Sequence, residues 1–172
     1  MISLKTNKIQ AFTLIELLLY IGLVSVFVVV ISSFWGFFDQ AKKKSATIEE
    51  VNQQGMYLNE VIAQAIRDGS TIASPTATNT AAILLINTTK QPTRNQIRFE
   101  LVAGKMYMTE GAGTAVQISS DRVTISALSF LNASQTTTNG NIKFQFTVNH
   151  VNPNGRSEYN FIQTFYGSAT TR

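Results

Sequence analysis

From Leu17 to Phe38 the chain carries no Asp, Glu, Lys, Arg or His. A helix needs about 20 such residues to cover the roughly 30 Å hydrocarbon core of a bilayer, so this run predicts a transmembrane segment. That leaves about 100 residues of the 172 for a domain outside the membrane, enough for one core of ordinary size. A cleaved secretory signal is the first competing reading, but its apolar core spans only about 7–15 residues and ends at an A-x-A-like site. This run is longer and ends in Phe37-Phe38, although the small residues Ser32, Ser33 and Gly36 lie near its end. A plain uncleaved anchor is the second competitor.

Charge and cysteine content narrow the function classes. Only 14% of residues are charged, and the formal net charge of +4 falls to +2 if residues 1–11, which hold Lys5 and Lys8, are removed. That is too little for a nucleic-acid footprint. With no cysteine in the chain, neither a disulfide framework nor a thiolate metal site is available, so the domain is held by packing alone.

Glu16, just ahead of the uncharged run, is what a plain anchor does not explain. A carboxylate in the apolar layer costs a few kcal/mol and is ordinarily kept only with a partner. Nothing basic lies within a turn or two downstream, and Lys8 is the nearest basic side chain upstream. A cut between Ala11 and Phe12 would place a new α-amino group four residues before Glu16, within i, i+4 reach or within reach of a neighbouring subunit.

The stretch "AFTLIELLLYIGL" resembles the processing and assembly signature of type IV prepilins and of the pseudopilins of type II secretion and competence systems. The resemblance implies a leader at residues 1–11, cut by a prepilin peptidase between Ala11 and Phe12, with N-methylation of Phe12. It implies that Glu16 pairs with the terminal amine of an adjacent subunit and fixes axial register during filament assembly. It also implies a bacterial-type inner-membrane location with the C-terminal domain extracytoplasmic, followed by a cell-surface or periplasmic filament. The expected partners are the peptidase, other pilin or pseudopilin subunits, the inner-membrane assembly machinery and, before assembly, membrane lipid. Ala11 stands where Gly is usual, and the apolar helix lacks the proline that many major pilins carry.

Basic residues flank the run on both sides, Lys5 and Lys8 before it and Lys42-Lys43-Lys44 after it, so charge alone nearly balances the two orientations. The lysine run itself reads as solvated helix surface or as side chains snorkelling near head groups. Beyond it, Ile48, Val51, Leu58, Ile62 and Ile66 continue in helical register, with Glu49, Glu50, Asn52, Asn59 and Arg67 on other faces. Asp68-Gly69 is a helix stop, so one helix from Phe12 to Asp68 would run about 85 Å, with Gly55 as a point of bending. Residues 12–38 are then the transmembrane and assembly helix, and residues 39–69 its amphipathic continuation.

Residues 70–172 form a β-rich domain. Ser70 to Thr80 reads as a loop, and Ala81 to Ile86 as a covered strand. Period-two alternation follows at Ile97, Phe99 and Leu101, at Val123, Ile125 and Ala127, and at Ile142, Phe144, Phe146 and Val148. Residues 102–108 and 150–159 read as hairpin connections, and Gln135 to Asn141 as a longer turn. The expectation is an α+β, pilin-like fold in which a four- to six-stranded antiparallel sheet packs on the amphipathic half of the helix. The pattern after residue 95 resembles minor pilins and J-type minor pseudopilins, which favours a minor subunit over a major one.

An enzyme is not expected. The single histidine, His150, sits beside a turn-like "NPNG", and Glu100, Glu110, Asp121 and Glu158 are scattered without metal-ligand spacing. "GAGTAV" at 111–116 does not match a dinucleotide fingerprint. Catalytic residues, metal and cofactors are therefore expected to be none. Tyr107, Tyr159 and Tyr166 read as core or half-covered strand residues rather than as partner-binding aromatics. The alternative function is an uncleaved, membrane-anchored β-rich binding module.

Overall fold

The structure, a computed structural model, describes residues 12–89, 95–135 and 140–171. The expected leader, Ala11 included, lies outside these residues. The chain divides into two compact units, Met1–Lys42 and Lys43–Arg172. The architecture is α+β: α1 (Leu14–Asp68) is followed by nine strands and one 3-10 turn among the described residues.

In the first unit, α1 is apolar all round, and its large side chains from Leu14 to Phe38 are exposed. An all-apolar helix with no protein cover is suited to lipid or to other helices. It is long and apolar enough to cross a membrane. Its serine hydroxyls need no outside partner, because Ser25, Ser32 and Ser33 donate to the carbonyls of Ile21, Val28 and Val29 at 2.8, 2.8 and 3.0 Å. Such back-bonding leaves little polar cost in an apolar medium.

In the second unit, the predicted helical face is the buried one. Val51, Leu58, Ile62 and Ile66 are fully enclosed, with Thr47, Gly55, Ala63 and Ala65 beside them. The helix ends as expected: Gly69 donates to the Ile66 carbonyl, and the Thr88 hydroxyl reaches the Asp68 carbonyl, satisfying two of the last orphan acceptors.

The strands form two antiparallel sheets where one was expected. The first comprises β1 (Thr71–Ser74), β3 (Leu84–Asn87), β4 (Gln96–Val102), β5 (Lys105–Glu110) and β6 (Val116–Gln117), in that spatial order. The second has the order β2 (Thr80–Ala81), β7 (Val123–Asn132), β8 (Asn141–His150) and β9 (Ile162–Thr170). Two readings of the sequence are corrected by this. The polar tract from Ser70 contains β1, which pairs with β3. The run from Ala81 to Ile86 is divided between β2 and β3 in different sheets, with only Leu84 and Ile86 enclosed.

The β4–β5 hairpin turns on Ala103 and Gly104 alone, both with positive φ as a type I′ turn requires, so the expected connection over 102–108 is corrected: residues 105–108 belong to β5. The Gly104 carbonyl accepts from the Ile125 N–H at 2.8 Å, joining that turn to the other sheet. Strand β8 alternates as predicted, enclosing Ile142, Phe144, Phe146 and Val148. Strand β7 does not keep its parity: a bulge between Ser126 and Ser129 places Ala127 at φ 51° and outward, so Leu128 and Phe130 turn inward instead. The core closes on an aromatic series in which the Phe130, Phe144, Phe146 and Phe165 centroids follow one another at 6.3, 6.5 and 5.7 Å.

Gly55 does not interrupt α1. A Cβ there would overlap the ring of Phe165, so the glycine is the seat that lets β9 approach the helix backbone. Asn59, one turn on, donates to the Tyr166 carbonyl at 3.0 Å and occupies part of the free edge of β9. Lys44, read as solvated surface, instead donates to the Asn160 carbonyl at 2.6 Å and lies 5.8 Å from the centroid of the Phe161 ring.

Candidate functional site

The N-terminal end of α1 is built by Thr13, which precedes the first helical residue. Its carbonyl accepts from Glu16 and Leu17 at 3.1 and 3.2 Å, and its hydroxyl lies 3.4 Å from the Glu16 N–H. Thr13-Leu14-Ile15-Glu16 therefore has the T-x-x-E form of a capping box, with Glu16 at the third helical position. The T-x-x-E spacing could have signalled this cap in the sequence but was not read there, and the Glu16 carboxylate makes no return bond to the Thr13 N–H. A carboxylate in the first turn also complements the positive end of the helix dipole, which is worth about 0.3–1 kcal/mol.

Phe12 is 70% exposed, and its ring meets Tyr20 edge-on at 6.0 Å. Glu16 is exposed, and its carboxylate has no hydrogen-bond or ion-pair partner among the described residues. Phe12 and Glu16 thus share one short stretch, whereas Ala11 lies outside the described residues. From Leu14 to Phe38 the surface around Glu16 is otherwise uncharged. The arrangement is a single carboxyl group at a helix end, on a surface that offers no basic side chain to meet it among the described residues.

The residues considered for catalysis lie elsewhere and have structural partners. His150 stacks on Tyr159 at 5.6 Å, and its Nδ1 lies 3.0 Å from the Val151 carbonyl. Glu100 pairs with Arg98 at 2.6 Å, the buried Glu158 with Arg156 at 2.5 Å, and Asp121 with Lys105 at 3.7 Å. Among the described residues, no three His, Cys, Asp or Glu side chains are grouped to hold a metal ion. Searches against protein-family models, curated proteins and solved structures returned no match to this chain.

Proposed function

We propose that the chain is a structural subunit, of minor pilin or pseudopilin type, in a type IV pilus-like filament, and that its work is assembly rather than catalysis. The observation that carries this reading is the unpartnered Glu16 carboxylate at the head of an exposed, otherwise uncharged apolar helix. In the proposed pathway a prepilin peptidase cuts between Ala11 and Phe12, and the Phe12 amine is methylated. The Glu16 carboxylate of one subunit then meets the terminal ammonium of the next. In a low-dielectric bundle an out-of-register subunit would bury both charges uncompensated, whereas the correct step neutralises them together. The C-terminal unit would lie outside the inner membrane before assembly.

The first test is the intact mass and N-terminal sequence of the membrane-extracted protein, made with and without a prepilin peptidase in the same cells. A start at Phe12 that depends on the peptidase is expected. An intact Met1 in both cases would favour the uncleaved, membrane-anchored binding module. Capping and pairing are then separated at Glu16. Gln serves in a capping box but carries no charge. Both Glu16→Gln and Glu16→Ala are expected to be cleaved and yet excluded from filaments, and normal incorporation of Glu16→Gln would reject the pairing.

A further inference from the structure

Tyr159 is held by the His150 ring, and the Tyr107 hydroxyl lies 3.4 Å from Gln117 Oε1. Tyr166 differs from both. It is 71% exposed, and its hydroxyl has no partner among the described residues. The register of the second sheet shows what surrounds it. Ser129 pairs with Gln145 and Gln145 with Tyr166 in one cross-strand row; Leu131 pairs with Lys143 and Lys143 with Ser168 in the next. The two rows lie on the face opposite the core phenylalanines and line a concavity of about 670 Å³. That size falls within the usual range of small-ligand sites, about 300–1,000 Å³.

The make-up of this hollow selects its occupant. It offers one flat aromatic surface on Tyr166, with Leu131 two strands away at its far side, an amide, the hydroxyls of Thr80, Ser129 and Ser168, and a single charge on Lys143 that no carboxylate meets among the described residues. A pyranose ring has the complementary surface, with an apolar C–H face for the tyrosine and a rim of hydroxyls for the amide and serines. A nucleic-acid strand would need several cations tracking its phosphates, and here there is one. An added peptide strand would need the free edge of β9, where Asn59 already takes the Tyr166 carbonyl. We infer that the outer face of the second sheet is a binding site for an acidic saccharide, with the sugar ring on Tyr166 and its carboxylate on Lys143. This site does not depend on the assembly role of Glu16.

The test uses the full chain in phosphatidylcholine nanodiscs, because alkyl-glycoside detergents would themselves present a sugar. Saturation-transfer NMR would be recorded with galacturonate, glucuronate and sialate oligosaccharides, with maltotetraose as the neutral control and an oligothymidylate as the nucleic-acid control. Transfer to the ring protons of at least one acidic saccharide is expected, in preference to both controls. Tyr166→Ala should weaken that binding by roughly tenfold or more, as loss of a central aromatic contact does, and Tyr166→Phe should retain it. Lys143→Gln should abolish the preference for acidic over neutral sugar. Absence of transfer to every acidic saccharide, full binding by Tyr166→Ala, or preference for either control would overturn the assignment.

Discussion

Gly55 lies on the buried face of α1 between Val51 and Leu58. Replacing it with Ala sets two effects of known sign against each other. In a helix interior Ala is favoured over Gly by about 1 kcal/mol. Against that, the added Cβ would overlap three atoms of the half-buried Phe165 ring, which cannot yield without disturbing its stack on Phe146 at 5.7 Å. Overpacking of this kind costs about 1–3 kcal/mol. The clash is therefore expected to win, leaving Gly55→Ala less stable by about 1 kcal/mol. In a Phe165→Ala background the obstacle is gone, and the same substitution should become stabilising by up to about 1 kcal/mol. The reversal of sign is the diagnostic, because propensity alone gives the same sign in both backgrounds. The assay must follow the second unit. The only tryptophan, Trp35, lies in the apolar segment, so far-ultraviolet circular dichroism at strand wavelengths or hydrogen exchange of β8 and β9 is the suitable probe. Stabilisation of the wild-type chain by Gly55→Ala, or equal effects in both backgrounds, would refute the packing account.

At Ala127 the bulge holds a Cβ-bearing residue at φ 51°. Ala127→Gly should be neutral or stabilising by up to about 1 kcal/mol, while Ala127→Val should cost about 2 kcal/mol or more, because a β-branched residue is strained there. Denaturant midpoints would show this ordering, and a Val variant as stable as wild type would contradict it. Lys44→Met keeps the apolar stem but removes the donor to Asn160, a local loss of about 1 kcal/mol after allowance for solvent. Amide exchange around residues 157–161 should quicken several-fold while the β7–β8 core stays unchanged, and unaltered exchange there would show that the lysine does not hold this segment.

The elements legible in the sequence are those whose partners follow from a single period. Of Ile48, Val51, Leu58, Ile62 and Ile66 at helical spacing, all but the half-buried Ile48 are enclosed; at strand spacing Ile142, Phe144, Phe146 and Val148 are all buried, whereas of Ile97, Phe99 and Leu101 only Phe99 is fully so. Elements set by distant contacts were not legible. Strand β1 is a short polar segment that is a strand because β3 supplies its ladder, a case of tertiary pairing overriding composition. The inserted bulge at Ala127 shifts parity, so an outward residue was read as inward and the buried Leu128 was passed over. Gly55 shows the same limit, since a glycine in a helix reads as a weak point until the ring from β9 is known to occupy it. At the candidate site, the T-x-x-E spacing from Thr13 was present in the sequence but passed over, because Glu16 was read only for its charge. The exposure of Tyr166 was not, because alternation alone does not say which face of a sheet is covered.

Glu16 joins the capping and assembly readings energetically. The helix dipole offsets about 0.3–1 kcal/mol of the cost of a carboxylate in an apolar layer, against about 2.5–3.5 kcal/mol for an acidic group at the bilayer centre. In the first turn of α1, however, the group lies at the end of the apolar segment, where, if that segment spans a bilayer, water and head groups would stay within reach of a flexible side chain. On the proposed reading the charge would be tolerated by a lone subunit in lipid and become demanding only when the helix end is enclosed by other helices. In the proposed role this difference is the selective element: enclosure without a cation is penalised, enclosure against the ammonium of a neighbour is not, and a residue in the first turn of the helix would set the step at which subunits stack.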